Sequence, residues 1–154
     1  MMAINTRLMQ LLYPILTTNI TGITDVFPWF APDTAKFPWI TMTPVSNNTL
    51  LTFKNTDELE DAIIQFSIFD NSPNTTVIES VMDQLEKLLH RNCQGIDFAA
   101  SPNEGGLHIV WIRKVPQPQI ISGPPTENFY RQGILSFSFR VQKNSCFPPA
   151  HLTP

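Results

Sequence analysis

His90 and Cys93 are the first residues to weigh for chemistry. They stand three apart on a predicted helix and could share one face. An imidazole beside a thiol could begin a zinc site, which needs three or four converging ligands. The other candidates, His108 and Cys146, lie elsewhere, and no Cys-x-x-Cys or His-Glu-x-x-His pattern occurs. The plain reading is a helix-terminal histidine and a buried thiol. Three histidines and two cysteines offer nucleophile–base combinations, but no nucleophile elbow surrounds any serine or cysteine. Asp57, Glu58, Glu60 and Asp61 could supply paired carboxylates. They fall in a polar approach to a strand, where a solvated face is the usual meaning. Asn103-Glu104-Gly105-Gly106 precedes a strand rather than a helix, so it reads as a turn and not a phosphate cradle. Phe27, Trp29, Phe30, Phe37 and Trp39 could stack bases, but stacking platforms come with basic grooves. Core packing or a subunit contact is the better reading. The sequence therefore assigns no catalytic residue, no metal ligand and no cofactor.

The elements around these residues are more informative. At 154 residues the chain is long enough for one domain with a real core. That domain is placed at residues 1–143, with a proline-rich tail at 144–154. A net charge of -3 gives no basic face for nucleic acid. No apolar run approaches the roughly 18 residues of a membrane span, so no membrane partner is expected. The apolar segment 8–16 behind Arg7 imitates a signal peptide, but Gln10 and Pro14 interrupt it and no small-x-small cleavage site follows. It reads as a helix of the mature protein. Cys93 and Cys146 read as two free thiols, with a disulfide between helix end and tail as the alternative. Fourteen prolines against six glycines indicate long, stiff loops.

The predicted centre is a strand over residues 63–70. Ile64, Phe66 and Ile68 alternate with Gln65 and Ser67, the pattern of a strand with one face in a core. Ser72 as N-cap and Pro73 at the first helical position open a helix that runs to about Cys93. Val77, Ile78, Val81, Met82, Leu85, Leu88 and Leu89 form its apolar stripe. A first helix is expected over residues 4–13, ended or kinked by Pro14. The proline-broken aromatics of 27–32 predict an edge segment or a loop wrapping the core. A second strand is expected over 39–43, closed by Pro44. In the insert 45–59, Ser46 to Thr49 reads as a loop and Leu50 to Phe53 as a short strand or the arm of a long hairpin. Residues 107–115 predict a central strand, with Ile109, Trp111 and Val115 on one face and Val110 and Ile112 on the other. Residues 116–128 predict a long loop. Residues 133–141 predict a strand with Leu135, Phe137, Phe139 and Val141 inward. The sum is an α+β domain: a mostly antiparallel sheet of four to five strands, one long amphipathic helix packed on a face, and a short N-terminal helix.

The order of these features resembles the tail-terminator (tail-completion) proteins of long-tailed bacteriophages. The resemblance is carried by the N-terminal helix, the stretch ending in Phe37-Pro38-Trp39-Ile40-Thr41, the polar insert and the strand Ile64-Gln65-Phe66-Ser67-Ile68-Phe69-Asp70. It continues in the helix opened by Ser72-Pro73 and the late strand behind Phe129-Tyr130-Arg131. It spans roughly residues 4–143. The longer 116–128 loop and the proline-rich tail depart from the pattern, so contacts of individual loops are not carried over. The resemblance implies a non-enzymatic virion protein, assembled in the host cytoplasm. It would form a ring of six copies on the head-proximal end of the tail tube. The ring stops tube polymerisation, meets neck or head-completion proteins, and lets DNA pass without sequence-specific binding. The alternatives are another neck component, such as a head-closure or connector protein, or a small hydrolase or ligand-binding domain. A ring needs two different contact patches per subunit. The expected patches are the 45–59 insert, with Leu50, Leu51 and Phe53, and the 116–130 loop, with Ile120, Ile121, Phe129 and Tyr130.

Overall fold

In the computed structural model, residues 4–52, 57–90, 107–122 and 130–144 are described. The elements follow in the order α1 (Ile4–Asn19), β1 (Asp25–Pro28), β2 (Trp39–Thr52), β3 (Asp57–Asp70), α2 (Thr76–Leu89), β4 (Leu107–Lys114), β5 (Gln119–Ser122) and β6 (Arg131–Asn144). The strands make one six-stranded sheet in the order β1-β2-β3-β6-β4, with β5 also paired to β6. All pairs are antiparallel except β1–β2. The α+β class is as expected, and the strands beyond four or five are short edges.

The inward residues of β3 and β6 alternate as the sequence predicts. Ile64, Phe66 and Ile68 lie buried beside Leu135, Phe137, Phe139 and Val141, and Phe66 meets Phe137 edge-on at 5.7 Å. Both helices cover this face. From α2, Ile78, Val81, Leu85, Leu88 and Leu89 are fully buried. From α1 the stripe Leu8, Leu12, Leu16 joins the same core. Gly133 is where α2 comes closest to the sheet. A Cβ there would stand 2.5 Å from Ile78 Cγ2 and 3.0 Å from Met82 Sδ. Gly133→Ala should therefore cost about 1–3 kcal/mol through overpacking, read as a lowered midpoint in denaturant.

Several boundaries differ from expectation, each for a physical reason. Helix α1 continues past Pro14 to Asn19. Pro14 faces solvent, while Leu16 and Ile20 are buried beyond it. Their burial outweighs one missing hydrogen bond, and the Thr17 hydroxyl adds a bond to Tyr13 O (3.0 Å) in the following turn. Strand β2 runs through Pro44 to Thr52 instead of stopping there. Strand β1 covers β2 only at Trp39 to Met42, so Pro44 stands on an open edge, next to a bulge, where a missing donor is tolerated. Strands β2 and β3 are thus the arms of one long hairpin, and Ser46 to Thr49 belong to a strand rather than a loop.

Helix α2 starts at Thr76, not Pro73, and Ser72 is not its cap. The Asn74 side chain accepts from the Thr76 amide at 3.2 Å instead. Strand β4 is an edge, not central. Its register shifts between Ile109 and Trp111, so Ile109 and Ile112 share the inner face and Trp111 turns outward opposite Arg140. The expected 116–128 loop contains β5. Cys93, Cys146 and the tail beyond residue 144 lie outside the described residues.

Candidate functional site

The sheet face opposite the helices is polar and aromatic. Thr41 and Ser67 are buried on it, Ser67 beneath the side-chain amides of Gln65 (3.3 Å) and Gln132 (3.2 Å). Phe37, Trp39, Phe69 and Tyr130 stack in a row across it, with ring centroids 4.4, 5.5 and 5.8 Å apart. Further along, Arg140 grips Asp61 with two bonds of 2.9 and 3.0 Å, which raises the guanidinium pKa. Arg140 and Arg113 both stack on Trp111, at 4.6 and 4.7 Å.

The residues first considered for chemistry do not converge. His90 Nδ1 accepts from the Lys114 amide at 3.0 Å, and the Lys114 ammonium meets Glu86 at 2.8 Å, so both tie the end of α2 to β4. Among the described residues no three of His, Cys, Asp and Glu are placed to hold a metal ion.

What stands out instead is a pair of exposed apolar patches at opposite edges of the sheet. At one edge β1 ends in a tight turn. Phe30 N–H donates to Pro28 O at 2.9 Å around Trp29, whose φ is 70°. An i-to-i+2 bond about a positive φ is a strained γ-turn, rare for a bulky residue. Its Trp29 amide donates to Met42 O at 2.7 Å, which holds the turn on β2. The turn leaves Trp29 52% and Phe30 81% exposed. Beside it, on the helix side of the sheet, opens an apolar groove of about 370 Å³ lined by Met9, Tyr13, Pro28, Trp29 and Met42. Tyr13 is fixed by donating its phenol hydrogen to Asp25 at 3.2 Å. That bond raises the Tyr13 pKa above its ordinary 10.0, so the pin holds at neutral pH and is lost only as pH rises through the raised value.

At the other edge, all four residues of β5 are exposed. Ile120 and Ile121 stand 38% and 47% open, near the exposed Tyr130. Ile120 lies on the helix side, where it lines a shallow groove of about 280 Å³ with Met82 and Leu135, rimmed by the α2 carboxylates Glu79, Asp83 and Glu86. Of the residues singled out from sequence, Ile120, Ile121 and Tyr130 therefore lie exposed at one edge of the sheet, Ile120 on the helix side and Ile121 and Tyr130 on the open face. Leu50 and Leu51 lie on the distal half of β2, at the far end of the sheet. Leu51 is in register with Leu59 and so with Gln142, ten residues along β6 from the pairing of Gln132 with Ile121. That is roughly 33 Å away. Phe53 and Phe129 lie outside the described residues. The Trp29 patch was legible only as an aromatic run of uncertain placement. Its signal was Pro28-Trp29-Phe30, too proline-broken to be buried strand.

No family model matches the chain, and no curated protein sequence matches it. Among solved structures, its fold matches a chain in the virion of the native gene transfer agent particle, with a TM-score of 0.52. The superposition covers 76% of this chain and 78% of that one, at 13% sequence identity. The likeness is one of fold.

Proposed function

We propose that this chain is a structural component of a phage-type virion, a tail terminator whose copies form a ring on the head-proximal end of the tail tube. The observation that carries this reading is the pair of unlike apolar patches at opposite sheet edges. A closed ring is built from heterologous contacts, in which one patch of each subunit meets a different patch of the next. The order of sequence features and a fold shared with a virion chain support the same reading. The helices occupy the outside of the ring and the open sheet face lines its channel. That face presents Thr41, Gln65, Ser67 and Gln132, with Arg140 tied to Asp61. The cations described on that face are Arg140, paired with Asp61, and Arg113, lying over Trp111, so DNA passes with few charges to hold its phosphates. The ring's two rims meet the tube protein and the neck.

The experiment is deletion of this chain from the particle that encodes it. A terminator predicts tails of uncontrolled length that do not join heads, restored to one length by the wild-type chain. Tails of normal length that fail only to join heads would assign it to head closure instead.

A further inference from the structure

We infer that neighbouring copies are joined by continuation of the sheet: β5 of one copy adds, antiparallel, to the open edge of β1 of the next. This rests on the ring reading above and specifies its seam.

The first support is level. Val26 pairs Ile40, Ile40 pairs Ile68, Ile68 pairs Gly133, and Gly133 pairs Ile120. The two open edges therefore lie at the same height, at the two ends of one row of five strands. The second is direction. Strands β1, β2 and β6 run one way, and β3 and β5 the other. A ring axis along the strands keeps every direction from copy to copy, so β5 meets the next β1 antiparallel, the commoner pairing.

The third support is matching of faces. Ile120 is in register with inward-facing Gly133, so it emerges on the helix side, where β1 offers the groove under Tyr13 and Trp29. Ile121 is in register with Gln132 and emerges on the open face, level with Asp25 and on the side of Phe27. The fourth is charge. Exposed edges of monomeric proteins are usually protected by lysine, proline or a bulge. Strand β5 reads Gln-Ile-Ile-Ser, with no charge and no proline. The single charge on β1, Asp25, is already engaged by Tyr13 and by the Val26 amide at 2.7 Å, and its one proline, Pro28, stands at the strand's end. The two strands thus meet without bringing an unpaired charge of their own to the seam, and seating β5 on the groove gives the strained Trp29 turn a contact to offset it.

The test is disulfide trapping in a chain with Cys93→Ser and Cys146→Ser, carrying Ile121→Cys together with Asp25→Cys, the residue at the same level. Mild oxidation should give a ladder of covalent oligomers ending at the closed ring, while either single substitution should give none. Phe27→Cys replaces Asp25→Cys in a parallel chain to sample a register two residues away. Because Asp25 and Phe27 are both half-buried, hydrogen exchange of the wild-type chain gives an independent readout. Amides of residues 25–27 and 119–122 should slow at least tenfold on assembly. A ring that forms without cross-links, and whose β5 amides exchange as fast as in the monomer, overturns the seam and leaves the ring standing. Absence of any ring overturns both.

Discussion

Ile120→Asp combined with Ile121→Asp should leave a folded monomer and abolish assembly. Ile121 is about half exposed and Ile120 lies at the rim of its groove, so the folded state loses far less than at a core position. In the ring each would be an apolar anchor, and replacing it with a carboxylate would bury an unpaired charge against Met9, Phe27 or Trp29. Interface anchors of this kind are worth about 2 kcal/mol or more each. The pair should then weaken association about 1,000-fold. Sedimentation across a concentration series should show monomer where the wild-type chain is assembled, with cooperative melting retained. Wild-type affinity in the double variant would remove β5 from any contact.

Leu85→Asp should have the opposite signature and unfold the chain outright. Leu85 is fully buried at the centre of the α2 stripe, among the residues that seal the helix to β3 and β6. Truncating such a leucine costs about 2–5 kcal/mol, and placing a carboxylate there adds several more. A domain of this size has about 5–15 kcal/mol to lose. The expected result is loss of cooperative melting and of soluble protein. A folded, assembly-competent L85D variant would mean that α2 does not hold the sheet as described.

The contrast between these variants follows what could be read from the chain. Period-two alternation in residues 63–70 and 133–141, and the stripe from Val77 to Leu89, identified the core correctly, because burial leaves a repeating mark on sequence. Edges leave a weaker one. Pro44 reads locally as a strand terminator. It is tolerated because β1 is too short to cover that part of β2, a fact of tertiary arrangement. The bulge at residue 110 puts Ile109 and Ile112 on one face and so breaks the alternation that suggested a central strand. Pro14 likewise reads as an end, but the burial of Leu16 and Ile20 carries α1 past it.

The surface was partly legible in the same way. Ile120 and Ile121 stood out as apolar residues in a proline-rich stretch, and the structure leaves them exposed on an unprotected edge strand. The insert with Leu50, Leu51 and Phe53 was the natural choice for the complementary patch, because it is long and lies between two strands. Hairpin register instead carries Leu51 to the far end of the sheet. The patch level with β5 is Trp29 and Phe30 with the Tyr13 groove. That can be recognised only once β1 is known to close the opposite edge of the same row of strands.

The proposed ring of copies between tail tube and neck is joined through these two edges. An electron cryomicroscopy map of the virion that carries this chain would show it. One closed ring is expected at the tube's head-proximal end, helices outward, with strand density continuous from β5 of each copy into β1 of the next. Isolated copies elsewhere in the particle, or a ring whose β1 and β5 edges both face solvent, would contradict it.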